Sequence, residues 1–167
     1  MIQTNQASRA KDGAIGGSSR YSGKWMSFLG PTSDPTRQSL IDLRNALLRL
    51  HKTLLDDERR IYERVHGRIA SPGAFLQLLI SDSWFAWLRP VTTLVVDIDE
   101  SLASKEPADE DTMRQLLDRA RGLLIETEAG QGLGKGYFDA LQRNPDVGVL
   151  HGEVMKVFAA QENGRTR

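Results

Sequence analysis

The sequence contains no cysteine. This absence excludes disulfide frameworks, zinc sites with thiolate ligands, iron–sulfur clusters and cysteine nucleophiles. A chain of 167 residues is nevertheless long enough to bury a core of ordinary size without such cross-links, since domains typically contain about 100 to 150 residues. We therefore expect one domain that is held together by apolar packing.

The sequence also has no net charge and no long apolar run. Lys and Arg together number 22, as do Asp and Glu together, so no overall field favours nucleic acid or an anionic membrane. The longest apolar runs span only a few residues, whereas a membrane-spanning helix needs about 20. The N-terminus lacks the apolar core of a secretory signal. These features predict a cytoplasmic protein that binds neither nucleic acid nor membrane.

Apolar periodicity is missing from the first part of the chain. Residues 1–34 are rich in Gly, Ser, Asn and Gln, and residues 1–33 carry four basic residues against one acidic residue, a net charge of +3. This composition predicts a flexible polar and basic tail. A small apolar cluster at 25–29, WMSFL, fits either a latch on the domain or a docking motif for a partner. The polar, basic leader also resembles bacterial secretion signals that stay unfolded.

The longest helical pattern follows, from Thr36 to Gly67. Glu58 stands at a break in this pattern, where the spacing calls for an apolar residue, and this break is one candidate location for function. Elsewhere in the segment, apolar residues recur at the three- and four-residue steps of one buried helix face. They are Leu40, Leu43, Leu47, Leu50, Leu54, Ile61 and Val65.

The rest of the chain predicts further helices and no sheet. The run Thr92–Val96 suits a buried strand by propensity, but its apolar positions continue at helical spacing to Leu102 and no second strand exists to pair with it. We therefore predict an all-α fold, a single-domain bundle of five to six helices at 35–161 with a mobile N-terminal tail. Residues 162–167 are expected to fray.

An aromatic break at 84–90 separates the second and third predicted helices. Successive helix positions point about 100° apart, so one of its aromatic side chains should reach the rim of the core unless neighbouring helices or the cluster at 25–29 cover it. Tryptophan beside arginine is typical of interface hot spots. The leading hypothesis is a non-enzymatic interaction or regulatory domain without a cofactor, which binds a protein partner or its own copy. The candidate contact residues are Trp84, Phe85, Trp87 and Arg89.

A second hypothesis starts from polar residues within apolar helix faces. Imidazoles and carboxylates that project from facing helices can bind a divalent metal or transfer protons. The alternative is that each such residue is paired at the edge of the core. The pattern therefore also fits a bundle with a ligand or metal site, acting as a sensor or an enzyme. Its candidate ligands are His51, Glu58, Asp97 and His151.

Two shorter motifs lack residues that the sites they resemble require. Glu63-Arg64-Val65-His66 has the Glu-x-x-His spacing of di-iron bundles, but that site needs a second copy and two further glutamates. The glycine-rich segment 130–136 contains a lysine but lacks the first glycine, the following Ser or Thr and the preceding strand of a P-loop. We interpret it as a connection between helices, with anion binding at a helix N-terminus as the alternative.

Overall fold

The computed structural model describes residues 35–104, 108–125 and 133–165. The predicted tail, with its apolar cluster at 25–29, lies outside the described residues, as do 126–132 and the last two residues. The last helix is described through Arg165, into the segment that the sequence predicts to fray.

The described chain consists of helices, without a strand. They are α1 (Pro35–His66), α2 (Pro72–Ser81), a 3₁₀ helix (Ser83–Leu88), α3 (Arg89–Ala103), α4 (Glu110–Ile125), α5 (Gly134–Arg143) and α6 (Pro145–Arg165). This architecture confirms the predicted all-α bundle, including the helical conformation of Thr92–Val96. None of the helices described here is both long and apolar enough to cross a membrane.

The core is built around α1, which packs against α3, α4 and α6. The five leucines of its predicted stripe, from Leu40 to Leu54, are completely buried. The prediction is wrong for Val65, which is exposed rather than part of the buried face. At about 1.5 Å per residue, the 32-residue α1 is longer than the 21-residue α6, and all of residues 64–68 are exposed. The last turn of α1 therefore extends beyond the helices that cover its leucines.

Local sequence signals set the boundaries around α2. Gly67 ends α1 with a φ of 87°, in the left-handed region that glycine adopts without a steric penalty. The hydroxyl of Ser71 accepts a hydrogen bond of 3.1 Å from the amide of Ala74, and Pro72 occupies the first turn, where its missing amide proton has no helical partner. Asp82 then caps the 3₁₀ helix by accepting 2.9 Å from the amide of Trp84.

The apolar composition of α2 predicts a helix that is central or covered on most sides. In the structure α2 lies at the edge of the domain and packs against the 3₁₀ helix, and none of its residues is buried. Phe75, Leu78 and Leu79 are half-buried against the core. Leu76 and Ile80 are 55% and 61% exposed. One side of this apolar helix is therefore uncovered by the described part of the chain.

Candidate functional site

An apolar groove with a volume of about 360 Å³ lies between α1, α2 and the start of α3. Its position follows from two helix caps, because Ser71 starts α2 and Asp82 turns the chain into the 3₁₀ helix. Leu76 and Ile80 are one turn apart on α2. Apolar side chains from α1, α2 and the 3₁₀ helix line the groove, namely Leu55, Leu76, Leu79, Ile80, Phe85 and Leu88.

Among the described residues, Arg89 is the only Lys or Arg that lines this groove. Its Nη2 donates hydrogen bonds of 2.8 Å to the backbone oxygen of Ile80 and 3.2 Å to that of Asp82. Carbonyls at the C-terminal end of a helix lack intrahelical partners, so the arginine satisfies two of them. The guanidinium is thereby fixed beside the end of α2.

His51 and Thr92 form a polar pair that also lines the groove. His51 Nε2 and Thr92 Oγ1 are 3.0 Å apart. Burial lowers the pKa of His51, since a partly desolvated imidazole disfavours its charged form. The groove therefore joins a residue of the second hypothesis, His51, to two residues of the first, Phe85 and Arg89.

The three aromatic residues of the break at 84–90 lie mostly inside the domain. Phe85 is buried and Trp84 and Trp87 are half-buried. The indole Nε1 of Trp84 donates 2.9 Å to Oε2 of Glu58, and the ring of Trp87 lies against Gly136 of α5. Of the four candidate contact residues, Arg89 alone is exposed. The exposed apolar surface is instead supplied by α2, whose composition predicts a helix that is central or covered on most sides.

Glu58 belongs to a buried polar network rather than to the groove. Arg143, at the C-terminal end of α5, donates from Nε and Nη2 to Oδ2 of Asp57 at 2.9 and 2.6 Å. Its Nη2 also donates 2.8 Å to Oε1 of Glu58. Burial raises the pKa of Glu58 even though the hydrogen bonds from Trp84 and Arg143 lower it. Both oxygens of Glu58 therefore have partners from other helices.

The remaining candidate ligands have partners of their own. Asp97 forms an ion pair with Arg119, and Nδ1 of His151 lies 2.8 Å from the hydroxyl of Tyr137. Each of His51, Glu58, Asp97 and His151 thus contacts a different set of residues. Throughout the described ranges, no group of three His, Asp or Glu side chains is arranged to hold a metal ion.

The described end of the glycine-rich segment is helical. Gly134 to Gly136 form the first turn of α5, and Lys135 forms an ion pair with Asp139 one turn later. An intrahelical carboxylate therefore already pairs with the lysine of that motif.

Comparison with known proteins adds no relative: no family matches the sequence, and neither a curated protein nor a solved structure shows significant similarity. The function is therefore argued from the geometry of the described residues.

Proposed function

We propose that this chain is a non-enzymatic helical interaction domain that binds a protein partner through the groove between α1, α2 and α3. The observation that carries the proposal is the exposure of Leu76 and Ile80, at 55% and 61%, along that groove. Covering a large aliphatic side chain contributes about 1.5 to 3 kcal/mol when it is fully buried. Contiguous exposed apolar surface of this kind is typical of interaction sites.

The open wall and the apolar lining of the groove support a protein partner. A volume of about 360 Å³ is at the lower end of the roughly 300 to 1,000 Å³ that small-molecule sites occupy. One wall of the groove is the open side of α2, so an occupant contacts exposed helix surface as well as the floor. Apolar side chains that project from a protein partner can contact both the floor of the groove and the exposed surface of α2.

The proposal keeps the leading hypothesis from the sequence but moves its surface. Phe85 and Arg89 remain part of the contact region, whereas Trp84 and Trp87 serve mainly to pack the 3₁₀ helix onto α1 and α5. A metal site at His51, Glu58, Asp97 and His151 is not the function that we propose, because separate partners hold these side chains. A cytoplasmic location stays a prediction from the sequence.

A charged substitution on α2 tests the proposal in the full-length chain. We expect peptides selected from a displayed library of helical sequences to lose binding to the Ile80→Asp variant. The matched control is Val149→Asp in α6, because Val149 is 65% exposed and does not line the groove. Circular dichroism and thermal melting verify that both variants fold. Selected peptides that bind both variants as well as the parent protein would show that the groove is not the interaction site.

A further inference from the structure

We propose that the partner segment is an amphipathic helix that seats two apolar side chains, one turn apart, in the groove and pairs an acidic residue with Arg89. This inference rests on the proposed function and specifies the chemistry of the partner. Two observations support it: the length of the groove walls, and the lack of an ion pair at Arg89 among the described residues.

All three walls of the groove are about one helical turn long. Lining residues are His51 and Leu55 on α1, Leu76 and Ile80 on α2, and Arg89 to Thr93 on α3. Each pair is four positions apart, which corresponds to about 6 Å along a helix. Two side chains at positions i and i+4 of a partner helix have the same spacing. A longer apolar stripe would extend past the walls.

A helix is the partner conformation that suits this surface. The described part of the chain offers no strand edge, so a partner cannot bind by adding a strand there. Grooves for polyproline helices are lined by several aromatic side chains, whereas Phe85 is the one Phe, Tyr or Trp among the described residues that line this groove. Insertion of a helix into an apolar groove is a common mode of peptide recognition that matches these helical walls.

Arg89 supplies the charge that selects an acidic residue. A guanidinium carries five N–H donors, and both of the bonds that hold Arg89 come from Nη2. Within the described part of the chain Nη1 and Nε have no acceptor, so they remain for another one. The nearby carboxylate of Asp82 is engaged by the hydroxyl of Tyr62 and the amide of Trp84. Within the ranges that the structure describes, Arg89 forms no ion pair.

A carboxylate from the partner would complement this arginine. Hydrogen bonds between a guanidinium and a carboxylate are stronger than those between neutral groups, and a guanidinium that two carbonyls already orient loses less side-chain freedom on pairing. By contrast, Lys52 on the neighbouring turn of α1 is already paired with Asp56. Arg89 is therefore the groove residue that sets the preference for acidic partners.

A second copy of this chain is a poorer occupant. Stable interfaces bury about 800 Å² on each partner and involve roughly 20 to 30 residues a side. The uncovered side of α2 is confined to a helix of 10 residues. The area that two copies could bury through the uncovered side of α2 alone is too small for a stable dimer. A short partner helix, by contrast, needs only the groove.

Fluorescence anisotropy with two pairs of matched helical peptides tests the inference on the full-length chain. Each peptide has two leucines at i and i+4 in an alanine-rich background, and carries either Glu or Gln one turn beyond the leucine pair, at each end in turn. For one of the two placements, we expect the Glu peptide to bind about fivefold more tightly than the Gln peptide at low salt. High salt should reduce this difference, because the pair is exposed to solvent.

Two variants locate the effect. Arg89→Gln keeps a side-chain amide for the carbonyls of α2 but removes the charge, and it should abolish the preference for Glu. Ile80→Asp should weaken both peptides. If both peptides bind equally and lose affinity on Ile80→Asp, the groove is an interaction site and the inference about acidic partners is wrong.

Other outcomes count against the inference in different ways. If no leucine peptide binds and the displayed library also yields no binder that depends on Ile80, both the proposed function and the inference fail. A dimer in sedimentation velocity that Ile80→Asp converts to a monomer would identify a second copy as the occupant and would overturn the inference.

Discussion

The indole Nε1 of Trp84 donates a hydrogen bond of 2.9 Å to Oε2 of Glu58, across 26 positions of the sequence. This contact occupies the gap in the apolar pattern of α1. Because Arg143 bonds to the other oxygen of Glu58 and to Asp57, the network connects α1 to both the 3₁₀ helix and α5. The break that suggested chemistry is in the structure a polar junction between three elements.

Replacing Arg143 by alanine should lower the free energy of unfolding by about 2 to 3 kcal/mol. Removal of one member of a buried ion pair leaves the other charge without compensation, and here two buried carboxylates, Asp57 and Glu58, lose a shared partner. This loss lies at or below the lower end of the range that is usual for breaking a buried ion pair, because Arg143 itself is only partly covered. Urea unfolding measures the change.

The control for this prediction is Arg60→Ala. Arg60 also bonds to Asp57, at 3.1 Å, but its side chain is 66% exposed. Exposed pairs contribute about 0 to 1 kcal/mol, so this variant should stay close to the parent protein. Equal losses in the two variants would contradict the assignment of Arg143 as the main partner of the network.

Replacing Glu58 by glutamine should change the stability in a way that depends on pH. Burial raises the pKa of Glu58 in the folded state, so the folded state binds this proton more tightly than the unfolded state does. The contribution of Glu58 to stability therefore decreases as pH rises above the pKa that the group has in the unfolded state. Relative to the parent protein, Glu58→Gln should therefore gain stability over the range from about pH 4 upward. Thermal melts across this range measure the trend.

Glu63→Gln is the control with the opposite sign. The backbone amide of Ile69 donates to Glu63, and this bond lowers the pKa of the Glu63 carboxyl. A lowered pKa contributes stability that is lost as pH falls, so the Glu63→Gln variant should become less stable relative to the parent as pH rises. The same trend in both variants would refute the role of burial at Glu58.

Tyr137 should not ionise at the pH at which exposed tyrosines do. Its side chain is completely buried, and burial raises the pKa of the phenol far above its usual value. The stability of the fold should then decrease as pH rises above about 10, and Tyr137→Phe should remove that part of the decrease. Ultraviolet difference spectra and melts of both proteins test this. Ionisation of Tyr137 near pH 10 in the folded protein would contradict it.

The sequence was sufficient for the fold because its signals are local. The leucine stripe of α1, the cap and proline at Ser71-Pro72 and the glycine at Gly67 each depend on neighbours within a few positions. The outward position of Leu76 and Ile80 could not be predicted in this way. A helix that is apolar on most sides shows no preferred face, so its periodicity does not indicate which side the domain leaves uncovered.

The polar junction is a second feature that periodicity could not predict. Asp57 and Arg143 are 86 positions apart, and a carboxylate at a break in a stripe looks the same whether an arginine, a metal or water satisfies it. Arg143 stands at the end of a short helix, where a basic residue is common for local reasons. The pairing becomes visible only when α5 is placed against α1.

Gly136 lies close to the ring of Trp87, in a segment that the sequence predicts to be a connection between helices. Gly136 lies in the first turn of α5, and a Cβ at this position would lie 2.7 to 2.9 Å from the Cγ, Cδ2 and Cε2 atoms of Trp87. Alanine there should lower the free energy of unfolding by about 1 to 3 kcal/mol, the usual result of overpacking. This loss should occur although alanine favours the helical conformation over glycine by about 1 kcal/mol.

Gly148→Ala in α6 separates the two effects. No atom of the described residues beyond the local helix backbone lies within 4 Å of a Cβ at Gly148, so the same substitution should increase the stability by up to about 1 kcal/mol through helix propensity alone. Urea unfolding of the two variants should therefore give changes of opposite sign. If Gly136→Ala also stabilised the protein, the 3₁₀ helix and α5 would not be in contact through Trp87, and the packing that holds the aromatic break inside the domain would be wrong.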